Sequence, residues 1–118
     1  MGRGNPQSSR HLQWFSGYLE PGEQLLDAGP AISDDLERRY GRNAKDGTIG
    51  VTDKRILFVG KSGDLMMSHP RSRLIGAKKE WIVVPGSSWL KLDFGGGTLS
   101  FIVGNAVIKS MLPILNGR

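Results

Sequence analysis

The sequence predicts a mainly β fold, in which about seven antiparallel strands are followed by a C-terminal helix. Seventeen of the 118 residues are glycine, and they separate short apolar runs as turn residues do in all-β proteins. Apolar residues alternate with other residues along 89–94 and 98–103, which is the period of a half-buried strand. The apolar period changes from two to about 3.6 after Gly104, which indicates that the last element is a helix.

The N-terminal part is predicted to be a tail followed by a short helix. Residues 1–8 are polar and lack an apolar anchor, so we expect a disordered tail before a single domain over residues 9–118. A helix is expected from Ser9, because apolar residues recur at helical spacing between 12 and 19. The pair Pro21-Gly22 ends it.

The segment that follows is less regular. Residues 25 and 26 are both leucine and favour a first strand, which can continue to Ile32 across a break at Gly29-Pro30. Residues 34–46 are mostly polar, and either a long loop or a short helical turn fits them.

Residues 47–59 carry the strongest local pattern. Ile49 and Val51 alternate with smaller or polar neighbours, as in a half-buried strand. Thr52-Asp53-Lys54 then supplies a turn, because Thr and Asp side chains can accept hydrogen bonds from nearby backbone N–H groups. A second strand follows over residues 55–59, which are rich in β-branched and aromatic side chains.

Later strands are expected at 65–68, 80–84, 89–94 and 98–103, separated by turns rich in Gly, Pro and Asp. The last helix is predicted between Gly104 and Leu115, with Asn105 as its cap. Pro113 lies inside this helix and lacks a backbone donor, so we expect it to kink the helix or end it near Leu112. The apolar face comprises Val107, Ile108, Met111, Leu112 and Leu115.

The chain resembles the bacterial pleckstrin-homology-like domains, close to the GRAM and YokE-like groups. The resemblance depends on two patterns: the strand, V-T-D-K-R turn and apolar strand of residues 47–59, and L-E-P-G-E at 19–23. The resemblance covers roughly residues 20–116. It implies an open barrel of two near-orthogonal antiparallel sheets, with the C-terminal helix plugging one end. Bacterial domains of this kind often self-assemble, so the resemblance also favours a homo-oligomer.

The residue chemistry argues against an enzyme. The chain has no cysteine, and His11 and His69 do not lie near an acid–nucleophile pattern. The acidic cluster at 34–37 lacks the further oxygen ligands and the positioned glycine of a metal loop. The glycines at 95–97 lack the strand-to-helix context of a dinucleotide loop. We therefore predict no catalytic residues, no metal, no cofactor and no small-molecule substrate.

The sequence contains no apolar stretch long enough for a signal peptide or a membrane span. We expect a cytoplasmic protein, with peripheral association to the inner membrane as the alternative. The net charge of +5 favours anionic partners, although such a charge also serves solubility alone.

Basic residues cluster just before the strand that begins at residue 47 and at the Thr52-Asp53-Lys54 turn that follows it. In eukaryotic relatives of the resembled fold, basic residues of the early loops bind inositol phosphates, and the resemblance implies an anion or lipid site here. Solubilising charge that is paired with nearby acids is the alternative. Arg55 in particular can fix the turn by bonding backbone carbonyls or a carboxylate such as Asp53. The candidates are Arg38, Arg39, Arg42, Lys45, Lys54 and Arg55.

Leu12, Trp14, Phe15 and Tyr18 are the candidates for protein contact. They cover more than one face of a short helix, whereas a helix packed on one core hides only one stripe. At least one large aromatic side chain should therefore face outward, and we predict a homo-oligomer whose contact includes this helix. The strand aromatics are expected in the core or half exposed, namely Trp81, Trp89, Phe94 and Phe101.

The leading interpretation is a non-enzymatic binding or assembly module that acts through protein–protein contacts, including self-association. Peripheral binding to anionic membranes through the basic loops is the second interpretation. A nucleic-acid-binding small barrel is the third, and it is disfavoured because the tryptophans do not form paired aromatic and basic stripes.

Overall fold

A computed structural model describes the backbone of residues 6–117 and the side chains of residues 11–117. Two 3₁₀ turns, Arg42–Ala44 and Arg71–Arg73, lie between the longer elements. The helices and strands are, in chain order, α1 (Pro6–Phe15), β1 (Leu25–Ile32), α2 (Asp34–Tyr40), β2 (Asp46–Thr52), β3 (Arg55–Gly60), β4 (Leu65–Pro70), β5 (Gly76–Trp81), β6 (Ser87–Asp93), β7 (Thr98–Gly104) and α3 (Asn105–Gly117).

The strands form one antiparallel sheet in the order β4-β3-β2-β1-β7-β6-β5. The first and last strands along the chain meet over the short pairing of Ala31 with Val103 and Ile32 with Ile102. In this order β4 and β5 are the two edges, so the sheet is open between them. The predicted class, a mainly β open barrel of seven antiparallel strands with a C-terminal helix and a short N-terminal helix, is confirmed.

The main core lies between the sheet and α3. The rings of Phe58 and Phe101 meet with their centroids 5.6 Å apart, and Ile108, Met111 and Leu115 of α3 are buried against the same cluster. Burying each such side chain contributes about 1.5–3 kcal/mol, so this cluster fixes α3 on the sheet. The period change after Gly104 therefore identified the closing helix correctly.

A second, smaller core joins α1 to the sheet. The ring of Phe15 is fully buried with Ala28, Leu57 and Val59. Gly50 makes room for this ring, since a methyl group at Gly50 would lie 2.7 Å from Cζ of Phe15. A side chain at this position would have to displace the helix or the ring.

The N-terminal helix differs from its predicted bounds. It begins at Pro6, before the predicted start at Ser9, and so includes residues 6–8 of the expected tail. The remaining tail residues, 1–5, lie outside the described part of the chain. The helix ends at Phe15, ahead of Pro21, because Tyr18 and Leu19 close a turn by donating their N–H groups to the Phe15 carbonyl.

The polar segment contains α2 and a 3₁₀ turn, so the short helical turn was the correct alternative. Ser33 caps α2, because its Oγ accepts a hydrogen bond of 3.2 Å from the Leu36 N–H. Strand β1 runs through Gly29-Pro30 without the expected break.

The expectation that Pro113 would end the last helix near Leu112 is wrong, because α3 continues to Gly117. Proline removes the hydrogen bond to the carbonyl four residues earlier, which here belongs to Lys109. Both Pro113 and Lys109 are exposed, so water can satisfy this carbonyl without cost to the core.

Candidate functional site

The candidate site is a groove between the edge strand β5 and helix α3. It has a volume of about 590 Å³, within the usual range of ligand sites. One wall is the strand, where Lys79 contributes its side chain, and the other wall is the exposed side of the helix. This β5–α3 groove is lined by Lys79, Asn105, Ala106, Ile108, Lys109, Leu112, Pro113 and Asn116.

One side chain of α3 shows which way the backbone of β5 points. The Ala77 N–H donates to Oδ1 of Asn116 at 2.9 Å, and Nδ2 of Asn116 donates to the Ala77 carbonyl at 2.9 Å. Both backbone groups of Ala77 are therefore directed away from β6 and toward α3. Asn116 bonds the strand as the backbone of an added strand would.

The same direction applies to every second residue of β5. In an antiparallel pair, successive residues alternate between bonding the partner strand and pointing away from it. Lys79 and Trp81 therefore direct their N–H and C=O groups to the side that Asn116 bonds at Ala77. Because β5 ends the sheet order in the described chain, no strand among residues 6–117 covers this side.

Side chains of β5 also alternate between the two faces. Lys78 and Glu80 lie on the outer face, where Nζ of Lys78 is 3.1 Å from Oε2 of Glu80. Nζ of Lys91, on β6, is 3.4 Å from the other Glu80 oxygen. The pKa of Glu80 is lowered mainly by the hydrogen bond from Lys78. Lys79 points to the groove instead and has no ion pair with any described side chain.

The chain leaves β5 through an exposed apolar loop. Trp81 is 79% exposed and Val83 is 77% exposed. Residues 82–84 were expected to continue the strand, but β5 ends at Trp81. The expectation that Trp81 would be in the core or half exposed is therefore wrong. At the end of an edge strand its ring has few neighbours to pack against.

The loop is fixed to the start of α3. The Asn105 N–H donates to the Gly86 carbonyl at 2.9 Å, and Oγ of Ser88 donates to Oδ1 of Asn105 at 2.6 Å. The apolar loop therefore adjoins one end of the β5–α3 groove, and Asn116 lies near the other end. The other strand aromatics match expectation, because Phe101 is buried and both Trp89 and Phe94 are partly buried.

Arg55, one of the predicted anion-site residues, lies in an internal ion pair. Its Nε donates to Oε2 of Glu23 at 3.0 Å, and its NH2 group donates to Oε1 at 2.7 Å and to the Tyr18 carbonyl at 2.7 Å. Thr52 Oγ1 donates to the same carboxylate at 2.6 Å. The structural alternative for Arg55 is thus correct, although its carboxylate partner is Glu23 and not Asp53.

The electrostatics of Glu23 follow from these contacts. Its side chain is fully buried, yet the hydrogen bonds from Arg55, reinforced by Thr52, lower its pKa from 4.5 to about 2. Thr52 also accepts hydrogen bonds from the Lys54 and Arg55 N–H groups. The predicted Thr52-Asp53-Lys54 turn is therefore held by its threonine, and the Glu23 pair ties this turn to the chain after α1.

The structure does not gather the other anion-site candidates into one cluster. Arg38 pairs with Asp35 on its own helix, and Nζ of Lys45 lies 3.8 Å from both Asp34 and Glu37. Arg39, Arg42 and Lys54 are exposed. Lys45 and Lys54 flank opposite ends of β2, which spans roughly 23 Å at about 3.3 Å per residue.

Arg39 lies near His69, whose ring packs against that of Phe94 at a tilt of 35°, with the centroids 4.7 Å apart. Burial lowers the pKa of His69, and the charges of Arg39 and Arg73 lower it further. His69 therefore belongs to β4 and lies beside basic side chains.

The predicted protein-contact residues divide between inside and outside. Leu12 and Trp14 are 45% and 41% exposed, so Trp14 is the outward-facing aromatic that the helical pattern required. Phe15 is wrong as a contact residue, because its ring fills the core over Gly50. Tyr18 is partly buried, and its hydroxyl donates to the Gly63 carbonyl at 2.6 Å.

The described residues contain no group of three or more His, Cys, Asp or Glu side chains placed to hold a metal ion. Over the same part of the chain, none of the helices has both the length and the apolar character needed to cross a membrane.

Comparisons with known proteins bear on the fold. No protein-family model matches the sequence, and no curated protein matches it significantly. The C-terminal domain of an unknown protein from Leishmania infantum, solved by crystallography, is similar in structure with a TM-score of 0.61 and 14% identity. The match covers 94% of this chain and 95% of that one. At this identity the likeness shows the fold alone.

Sequence reasoning did not single out Asn116, Lys79 or Lys109 as site residues. The sequence did contain a signal that β5 is an edge strand, because Lys78 and Lys79 follow each other within it. Lysines are typical of edge strands, where their charge prevents pairing with the strands of other chains. The position of Asn116 against Ala77 is a long-range contact, and nothing in the local pattern of the last helix indicates it.

Proposed function

We propose that this protein is a non-enzymatic binding module that takes up an extended segment of a partner protein along β5. The observation that carries the proposal is the pair of hydrogen bonds between Asn116 and Ala77. It supports the view that the backbone of this edge faces the β5–α3 groove, where an added strand would bond it. Strand addition to an exposed sheet edge is a common mode of peptide recognition.

The dimensions of the site suit a short segment. Strand β5 has six residues and spans about 20 Å, which is the length of an ordinary strand. An added strand would bond the N–H and C=O groups of Lys79 and Trp81. Every second side chain of the added strand would then face α3 and fill the groove, and the exposed Trp81 ring would cover one end of the segment.

A second candidate function is assembly of copies of this chain through α1. The exposure of Leu12 and Trp14 supports it, since a partner surface would remove both side chains from water. Membrane binding through the early basic loops has weaker support, because Arg38 and Lys45 pair with neighbouring acids and Arg55 is internal.

The test is a selection from a displayed library of random twelve-residue peptides, followed by binding to defined variants. Lys79→Pro removes the outward N–H of β5 and leaves the bonds to β6 intact, since proline is tolerated on the open side of an edge strand. Lys79→Ala is the matched control, because it removes the same side chain and keeps the N–H.

Selected peptides should shift the NMR resonances of β5 and α3. Their affinity for Lys79→Pro should be at least about tenfold lower than their affinity for Lys79→Ala, because only the proline variant loses the main-chain hydrogen bond and leaves its partner group on the peptide unpaired. Peptides that bind elsewhere, or that bind Lys79→Pro as well as Lys79→Ala, would contradict the proposal.

A further inference from the structure

The β5–α3 groove carries positive charge on both walls. Lys79 contributes an ammonium group from the strand and Lys109 another from the helix. None of the residues that line the groove is acidic, and neither lysine forms an ion pair with a described side chain. The outer face of β5 differs, because Lys78 and Lys91 there both form an ion pair with Glu80.

Between the two lysines the groove is apolar. Leu112 and Pro113 supply apolar surface to the groove, whereas Ile108, which also borders it, is fully buried in the main core. A segment added to β5 would direct side chains toward this floor at intervals of about 6.6 Å, twice the rise of a strand residue. If one apolar side chain of the segment lay over Leu112 and Pro113, the side chains on either side of it would lie near Lys79 and Lys109.

We infer that the segment bound along β5 is acidic, with carboxylates alternating with an apolar residue on the side that faces α3. This inference rests on the proposed function and specifies its partner. The carboxylates pair with the exposed ammonium groups of Lys79 and Lys109 on the two walls of the groove, so the attraction should be sensitive to salt. The apolar residue between them covers Leu112 and Pro113.

A second copy of the chain does not fit this edge. Antiparallel pairing of β5 with β5 of another copy about the outward-facing Lys79 would place two Lys79 residues opposite each other, and like charges in this position destabilise a sheet. Each copy also carries a net charge of +5, which adds repulsion between copies. The charge of the site therefore favours another, acidic protein.

The probe is a fluorescent nine-residue peptide in which Glu, Leu and Glu occupy alternate positions and Ser or Thr the others. A second peptide carries Lys in place of Glu, and nine consecutive glutamates form a third. The first peptide should bind at least about tenfold more tightly than either of the others, because it alone combines charge with an apolar anchor.

Charge reversal identifies the groove residues. Lys79→Glu and Lys109→Glu should each weaken binding of the first peptide by about tenfold or more, and raised salt should weaken binding to the native protein. Lys61→Glu is the matched control with the same change in net charge, since Lys61 is exposed in the turn between β3 and β4. It should change the affinity by less than about twofold.

The outcomes separate this inference from the proposed function. Library peptides that bind β5 and are neutral or basic would overturn the acidic partner and leave strand addition intact. An acidic peptide that binds Lys79→Pro and Lys79→Ala equally would overturn strand addition itself. Equal binding of the all-glutamate peptide, or equal competition by phosphatidylserine vesicles, would mark a general anion surface and would also overturn the inference.

Discussion

Asn116 in α3 occupies the edge of β5 by bonding both backbone groups of Ala77, with each hydrogen bond 2.9 Å long. A helix side chain thus takes the place of an added strand at one residue and leaves the next outward-facing residues open. The contact fixes α3 at the end of the groove and sets where a bound segment would begin.

Replacing Asn116 should release Ala77. In Asn116→Ala, we expect the Ala77 amide to exchange its hydrogen faster and the free energy of unfolding to fall by about 1 kcal/mol, the usual value of lost hydrogen bonds. Hydrogen exchange read by NMR, with chemical denaturation, measures both. Asn43→Ala is the control, because Asn43 is exposed in a 3₁₀ turn. Unchanged exchange at Ala77 would contradict the role of Asn116.

The pair between Glu23 and Arg55 should be important for stability. Arg55→Ala leaves a buried carboxylate without its cation, and we expect the free energy of unfolding to fall by about 3 kcal/mol. Arg38→Ala, which breaks the exposed pair with Asp35, should cost less than about 1 kcal/mol. Equal losses in the two variants, measured by urea denaturation, would refute the assignment.

The same pair predicts a pH dependence. The pKa of Glu23 is about 2 in the folded protein and 4.5 when unperturbed, so the folded state favours the carboxylate. Its stabilising contribution is fully present above about pH 4.5 and is lost as the pH falls toward 2. The stability difference between the native protein and Glu23→Gln should therefore shrink over this interval. A difference that stays constant from pH 5 to pH 2 would exclude the mechanism.

Gly50 should be intolerant of a side chain. A methyl group there would meet the Phe15 ring at 2.7 Å, so Gly50→Ala should lower the free energy of unfolding by about 1–3 kcal/mol. Adding Phe15→Leu should recover part of this loss, because the smaller side chain relieves the contact. Gly17→Ala is the matched control, since nothing lies within 4 Å of the position of its added methyl group. Additive losses in the double variant would show that the two residues do not interact.

The exposed face of α1 predicts self-association. If copies meet through Leu12 and Trp14, Trp14→Glu should shift the protein toward monomer, because a charged side chain would replace a buried ring. Sedimentation at tens of micromolar, roughly the range where weak dimers persist, measures the shift. A native protein that is monomeric at this concentration would contradict the predicted self-association.

Much of the fold could be predicted from local patterns. The Thr52-Asp53-Lys54 turn, the alternation in β6 and β7 and the apolar stripe of α3 each depend on neighbouring residues, and each was predicted correctly. Helical spacing also showed that one aromatic of α1 must face outward. It could not decide between Trp14 and Phe15, because that choice depends on the space above Gly50.

The site could not be predicted in the same way. Residues 80–84, which are apolar from Trp81 onward, were predicted to form a strand, whereas Trp81 and Val83 are exposed where the edge strand β5 ends. The order of strands arises from long-range pairing, which the local pattern does not contain. For the same reason Asp53 was named as an example of a carboxylate partner for Arg55, whereas the partner in the structure is Glu23.

Hydrogen exchange at β5 tests the central claim most directly. In the free protein, Lys78 and Glu80 should be protected by β6 and Ala77 by Asn116, while the Lys79 and Trp81 amides exchange rapidly. When the protein is saturated with a selected or acidic peptide, the Lys79 and Trp81 amides should become protected by at least about tenfold, because they then bond the added strand. Amides at 79 and 81 that are already protected in the free protein, or that stay unprotected in the saturated complex, would contradict the account.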